Sequence, residues 1–595
     1  MYRQLIVSDD SINGGIQKLI EEKTQPLNYS RNNIIKNDEN KDKEDNIEIE
    51  NLTNSEVVTL DDDDPETQYI FVLKMNEVSN GRMRQVNIKN NIDVIIIKYE
   101  NEYYALASKC ANCNGPLIKG VLSKNFLYCV PYGTCYDIRT GYLEEYPGLY
   151  SQNTFKTTVQ NGKIYIITNF RMLSINRKEK PMLKYTIQLT KNPTIIIGSG
   201  IAALTCAEVL RQNSYNDPII LLTKDNVLPF FKFLLPTNPN INDDEILLRE
   251  EKFYENYGID IRLNTKVIKV DATEKVVYCD NEKSFAYSNL VIATGTAHKK
   301  IVIPGSTLEN VLYFKNSNDG RLIYKSSKKK HISIFNCTPN IITLSTILKR
   351  EAKSVTIYNK SNILFQDGGK SFNEELIKYL ENVCGINVRL NDSIRIIEGE
   401  KVVSHLVLNS GNCAISNLVI PFNGEIACSS FMLGNKLKIT SDNFIEVDES
   451  MKTNIPNVYA IGDCSISNLN KNKNIVLLQS WQSAQVDGKI CAMNILNKVI
   501  KFKNDIRFLW FHVGKEIVVF VHKLCENDEN PLSRGSFETN DFITYFFNNN
   551  SVIGVICFGD VTPAIQIFAC LKKKINISRE EVQAMTKNNW IYKLT

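Results

Sequence analysis

The chain has 595 residues, enough for three or four domains with cores of their own. A net charge of +4 gives no basic footprint for nucleic acid, and no apolar run approaches the length of a bilayer span. The segment Met1-Tyr-Arg-Gln-Leu-Ile-Val-Ser-Asp-Asp10 lacks the apolar core of a secretory signal. An intracellular setting, cytoplasm or mitochondrion, is therefore expected, with most of the 15 cysteines reduced.

Residues 1–66 are polar and charge-rich, with Asn runs and the block Asp61-Asp62-Asp63-Asp64. Such a segment buries too little apolar surface to offset its ordering entropy, so a disordered acidic leader is expected. From Tyr69 the pattern changes to short β-like runs separated by turn residues, among them Val94-Ile-Ile-Ile and Lys163-Ile-Tyr-Ile-Ile. This predicts a small all-β domain over residues 67–170.

Two cysteine loops lie inside it. The first is Cys110-Ala-Asn112-Cys113 and the second Cys129-Val-Pro-Tyr132-Gly-Thr-Cys135. A Rieske [2Fe-2S] site needs Cys-x-His in the first loop and Cys-x-x-His in the second, because two imidazoles hold one iron and two thiolates the other. In that frame Cys110 and Cys129 occupy the thiolate positions, while Asn112 and Tyr132 occupy the imidazole positions. All five histidines lie at or beyond His298, so this part of the chain has no imidazole. Three readings follow: a Rieske cluster with altered ligands; a four-thiol site from Cys110, Cys113, Cys129 and Cys135, whose C-x2-C-x15-C-x5-C spacing offers soft ligands for zinc or a Cys-ligated cluster; or a metal-free β domain, with or without a labile disulfide. Asn and Tyr are poor substitutes for imidazole on iron, and residue chemistry favours the metal-free reading.

From about Pro193 strands and helices alternate, which predicts a parallel sheet built from βαβ units. Gly198-Ser-Gly200-Ile-Ala-Ala203 follows the strand Thr194-Ile-Ile-Ile and opens a helix. Gly198 permits the tight turn, Gly200 lets backbone approach a pyrophosphate at the helix N-terminus, and Ala203 is small enough for helix–strand packing. Asp225, after the next strand, is the candidate for reading the adenosine ribose. Ala293-Thr294-Gly295 and Ile461-Gly462-Asp463 complete a set of three segments, in the order expected for FAD. The last ninety residues return to strands and end in helical patterns.

These motifs, with Thr140-Gly-x-Leu-Glu-x-x-Pro-Gly-Leu149 and Trp481-Gln-x-Ala-Gln-x-x-Gly488, resemble apoptosis-inducing-factor-like flavoproteins that carry an N-terminal Rieske domain, the apoptosis-inducing factor 3 type. The resemblance runs from about Tyr69 to the C-terminus. It implies a multidomain fold: the Rieske-like β domain; two interleaved α/β, Rossmann-type dinucleotide domains (FAD at 185–320 and 426–502, NAD(P) at 321–425); and a C-terminal α+β interface domain over 503–595. It also implies NAD(P)H reducing FAD and electrons passing singly to an iron–sulfur centre and a protein acceptor. Lys232 and Trp481 fall near the expected flavin ring, and Asp463 on its ribityl chain.

The departures from that family concern electron entry and exit. The second glycine motif reads Asn336-Cys-Thr338-Pro339-Asn-Ile341, with every glycine replaced and one N–H lost at Pro339. Asn359 stands where an acidic residue should read the second ribose, and Thr237 where a lysine should neighbour the flavin. Two functions are expected to compete: an FAD-dependent oxidoreductase with impaired electron flow, and a pseudoenzyme acting as a binding or signalling scaffold.

Overall fold

The computed structural model describes residues 57–59, 67–88, 92–184, 192–467, 480–500, 506–523 and 529–594. These form two compact units. The first takes the chain to Cys129, then Tyr136–Leu143 and Tyr150–Glu179; the second takes Val130–Cys135, Glu144–Leu149 and the chain from Lys180 onward. The expected leader lies outside the described residues except for Val57–Thr59. That short strand pairs antiparallel with Gln68–Lys74, so these three residues depart from the expected disorder.

The first unit is an antiparallel seven-stranded sheet in the order Val57–Thr59, Gln68–Lys74, Lys163–Thr168, Thr154–Gln160, Glu102–Ala107, Asp93–Tyr99, Arg82–Asn87. In Asp93–Tyr99 the run Val94-Ile95-Ile96-Ile97 is fully buried. Alternate side chains of a strand point to opposite faces. Val94 and Ile96 accordingly enter one apolar cluster with Ile70, Val72, Ile164 and Ile166, while Ile95 and Ile97 enter a second that contains Cys110, Cys129 and Tyr136. The cysteine loops are thus anchored on the back of the sheet.

In the second unit a five-stranded parallel sheet runs Ile259–Arg262, Ile219–Leu222, Thr194–Ile197, Asn289–Ile292, Val458–Ala460. Its central strands are buried β-branched and leucine runs, as expected where helices cover both faces. A four-stranded parallel sheet follows: Asn387–Leu390, Ser354–Asn359, His331–Phe335, Leu418–Pro421. The C-terminal part is a five-stranded antiparallel sheet in the order Ile506–Val513, Glu516–Lys523, Ser551–Gly559, Asp541–Asn548, Glu529–Arg534, covered by the helix Thr562–Lys572.

The helix Ile201–Gln212 is fixed at its C-terminal end by Arg211, which is fully buried. Its guanidinium donates to the carbonyls of Tyr257 (2.7 Å), Tyr215 (2.5 Å), Asp217 (3.0 Å) and Gly258 (2.8 Å). The charge also opposes the negative end of the helix dipole. Arg211→Met should strand several buried carbonyls, each worth about 1–3 kcal/mol. The expected loss is at least ~3 kcal/mol, read as a lowered urea midpoint of the full chain; an unchanged midpoint would contradict this assignment.

Candidate functional site

The strand Thr194–Ile197, the turn Gly198-Ser199-Gly200 and the helix Ile201–Gln212 border a cavity of about 1840 Å³ in the second unit. Gly198 has φ +113°, and a Cβ there would lie 2.3 Å from the Ala293 carbonyl oxygen, so only glycine fits. Gly200 is different. Its φ of −74° is ordinary, no side chain caps the helix, and a Cβ would meet nothing within 4 Å. The uncapped N–H groups therefore open on empty space, the arrangement a pyrophosphate requires. Asp225, Lys232, Thr294, Gly295, Gly462, Asp463 and Trp481 line the same cavity. Ala203 does not. It is fully buried in the helix, where its smallness serves packing.

Trp481 begins the helix Trp481–Ile495, lies parallel to Phe231 (5.2 Å, 6°) and meets Phe233 edge-on (4.6 Å). Its Nε1 donates to Gln485 (2.5 Å). Trp510 continues this aromatic wall through Phe233 (5.2 Å) and contacts Tyr132 (4.7 Å). Lys315 bridges Glu425 (2.6 Å) and Thr296 (2.7 Å) on the cavity wall. Sequence reasoning missed this cluster because its members lie far apart in the chain. His298 ends the strand Thr296–His298 and is half-buried, with Nε2 2.8 Å from the Phe314 carbonyl oxygen. Burial pushes the Asp463 carboxyl up to about 6 and that of Asp487 to about 7, where it accepts a hydrogen bond from the Gly462 N–H at 3.1 Å.

The second dinucleotide half presents the opposite picture at its helix, Pro339–Leu348. Thr338 caps it through the Ile341 N–H, and Pro339 has no N–H to offer. Thr343 turns its hydroxyl to Pro339 O and His512 O and accepts from His512 N. Asn336 adopts φ +55° where glycine would be expected, and its amide is bound to Phe422 O. The Asn359 amide donates to Ser361 Oγ and Ile363 O. The groups that should face a second dinucleotide are engaged with their neighbours.

In the first unit the sulfurs of Cys110, Cys113 and Cys129 lie within 4.8 Å of one another, Cys113 and Cys129 at 3.4 Å. Cys135 does not join them. It precedes Tyr136 in the strand Cys135–Asp137, and Tyr136 turns its hydroxyl to Cys110 (3.1 Å), so Cys135 faces the other way. Burial opposes ionisation of Cys110, but hydrogen bonds from Cys113, Cys129 and Tyr136 hold its thiol well below the ordinary range; hydrogen bonding with Cys110 pushes Cys113 and Cys129 up. The Asn112 amide donates to Tyr136 Oη (2.7 Å) and Tyr150 O (2.8 Å) and accepts from Tyr150 N (2.9 Å).

Two family models match the chain: pyridine nucleotide-disulphide oxidoreductase over residues 192–488, and the Rieske [2Fe-2S] domain over 68–156. Human (Homo sapiens) apoptosis-inducing factor 3 is 27% identical over 493 residues, covering 81% of this chain and 80% of that protein. The rubredoxin-NAD(+) reductase of Pseudomonas putida is 26% identical over 51% of this chain and 79% of its own length. Among solved structures, a ferredoxin reductase from Rhodopseudomonas palustris superposes with a TM-score of 0.63 at 18% identity, covering 68% of this chain and all of that one. The chain carries a pyridine nucleotide-disulphide oxidoreductase domain with a Rieske domain ahead of it.

That family implies FAD and NAD(P)H, and a Rieske domain implies a [2Fe-2S] cluster. The open, uncapped turn at Gly200 fits FAD. The self-capped helix at Thr338 does not fit a second dinucleotide. Nor do the cysteine loops fit a Rieske cluster: the Asn112 amide is fully engaged with Tyr136 and Tyr150, and Tyr132 packs on Trp510 in the second unit. Among the described residues, no helix of this oxidoreductase is long and apolar enough to cross a membrane.

Gly200→Val should leave the fold intact and abolish FAD retention, because the added carbons meet only the space a pyrophosphate would fill. Gly198→Val should damage the fold itself. Purified protein that is folded and yellow in the first case would refute the assignment. The Asp487 carboxyl supplies a pH test. The folded pKa of Asp487 lies above its unfolded value, so its stabilising contribution is present below about pH 4 and is lost as pH rises toward 7. Asp487→Asn should therefore stabilise the apoprotein at pH 8, by an upper bound on the order of 4 kcal/mol, and change little at pH 4. Equal melting shifts at both pH values would contradict the burial argument.

Proposed function

We propose that this chain is an FAD-dependent electron-transfer oxidoreductase whose reduction by NAD(P)H is impaired. One contrast supports the reading: the helix at Gly200 carries no cap, while the helix at Thr338, which lines the same cavity, is capped by the Thr338 hydroxyl and has no N–H at Pro339. Gly198, Gly200 and the N–H groups behind them would hold the pyrophosphate, Asp225 the adenosine ribose and Asp463 the ribityl hydroxyls. Gly462 and Asp487 fix Asp463 from behind through the 3.1 Å hydrogen bond. Trp481, Phe231 and Phe233 exclude water from the ring end. FAD would supply the capacity to take two electrons and release them one at a time. The Lys315–Glu425 pair keeps a cation on the wall of that cavity, whereas the Thr237 hydroxyl is turned to Leu234 O.

The acceptor in this reading is a small electron-carrier protein, the class named for the rubredoxin and ferredoxin reductases among the relatives. The rival reading is a pseudoenzyme scaffold that keeps FAD structurally. It draws support from the loss of both imidazoles and of the second glycine motif in one chain. Anaerobic titration separates the two. NADH and NADPH should reduce bound flavin at least about a hundredfold more slowly than in relatives with the glycine motif intact, while dithionite bleaches it at once. Rapid stoichiometric bleaching by NADH would overturn the impairment. Flavin that resists dithionite as well would favour the scaffold.

A further inference from the structure

The Rieske frame accounts for two of the three convergent thiols and leaves Cys113 unexplained. Cys113 follows the lost imidazole position by one residue, yet its sulfur lies 3.4 Å from that of Cys129. Cys110 and Cys129 are buried, and Cys113 is partly open. The loop bearing Cys110 and Cys113 is held from several directions. Gln152 accepts from the Ala111 N–H (2.8 Å) and donates to the carbonyls of Ala107 and Lys109 (both 2.9 Å). Cys110 O accepts from the Asn114 N–H (2.9 Å) and the Cys110 N–H donates to Gly115 O (2.8 Å). The sulfurs thus converge on a prepared backbone.

Polar groups converge on Cys110 as well. Asn112 Nδ2 donates into Tyr136 Oη at 2.7 Å, and that hydroxyl lies 3.1 Å from the Cys110 sulfur. The Asn112 N–H also points at the Cys110 sulfur, 3.5 Å away.

We propose that Cys110, Cys113 and Cys129 form a mononuclear site for a thiophilic d10 cation, Zn2+ or Cu+, in place of the Rieske cluster. A single ion about 2.3 Å from each sulfur sets sulfur–sulfur separations of roughly 3.8–4.0 Å; the three sulfurs lie within 4.8 Å of one another, and the Cys113–Cys129 pair, at 3.4 Å, opens slightly to admit the ion. A two-iron cluster needs ligands on a second iron as well. Asn112 offers none with its amide committed, and Cys135 faces away. Soft thiolates select Zn2+ and Cu+ over harder cations. This site stands apart from the flavin reading and rests on none of it.

Metal analysis of the full chain, purified without oxygen, tests the proposal. About one zinc or copper per chain, with no acid-labile sulfide, is expected; which metal appears identifies the ion. Cys113→Ser should lose at least tenfold in metal content, and Cys135→Ser should keep it. Far-UV circular dichroism and the urea midpoint, measured in parallel, report whether each variant has folded. Should Cys113→Ser fail to fold, alkylation of the wild-type chain decides: Cys113, the partly open member of the set, should resist iodoacetamide until a chelator is added and then react. Iron with labile sulfide would overturn the site. So would a metal-free chain with a Cys113–Cys129 disulfide, or equal alkylation with and without chelator.

Discussion

The approach of Gly198 to the Ala293 carbonyl is the constraint on which the flavoprotein half depends. A hydrogen in place of a side chain lets the first turn pass beneath the strand Asn289–Ile292. That passage directs the helix Ile201–Gln212 so that its first N–H groups face the cavity. Gly488, in the helix Trp481–Ile495, repeats the device: a Cβ there would lie 2.5 Å from Ala202 O. The two helices can therefore pack backbone to backbone. Gly462 brings the segment of Asp463 close to Ala202 as well. Each of these close approaches surrounds one helix end, and this explains why that end has space before it and no cap upon it.

The second dinucleotide half shares the topology and lacks the glycine. Its strand His331–Phe335 and helix Pro339–Leu348 occupy the expected places, because buried β-branched runs and a proline at the first helical turn are sufficient to form them. What changed is the destination of the polar groups. A threonine cap stabilises a helix by about 1 kcal/mol, and the Thr343–His512 hydrogen bonds tie the same turn to the C-terminal sheet. The polar satisfaction of this turn is the structural counterpart of its lost motif.

Much of this was legible in the sequence. The β domain, the βαβ alternation and the flavin-side segments rest on periodicity and on glycines whose reason is steric, and such signals are local. Cys113 and Cys135 were not separable in the same way. Both fit a four-thiol spacing, and only the register of the strand Cys135–Asp137, with Tyr136 directed at Cys110, decides between them. The Lys315–Glu425–Thr296 cluster joins Glu425 to residues more than a hundred positions before it and carries no motif. The division of the segment after Cys129 was likewise hidden, since nothing in Val130–Cys135 announces membership of the second unit.

Gln485 shows how a residue inside a recognised motif can hold a second role. Its side chain accepts from the Gly148 N–H (3.1 Å) and donates to the Gly148 carbonyl (2.7 Å), as one strand would pair with another. Gln482 donates to Tyr146 O (2.7 Å), and Arg249, paired with Glu208 in a buried ion pair, donates to Leu149 O (3.0 Å). Glu144–Leu149 is therefore held in the second unit by its backbone, with little demand on its side chains. The same Gln485 oxygen receives Trp481 Nε1, so the tryptophan on the cavity wall and the Gly148 backbone share one acceptor. Tyr132 meets that aromatic wall at Trp510, an edge contact worth about 0.5–1.5 kcal/mol. A histidine at this position would offer less aromatic surface to Trp510. Tyr132 therefore serves packing within the second unit at the position where a Rieske loop would carry an imidazole.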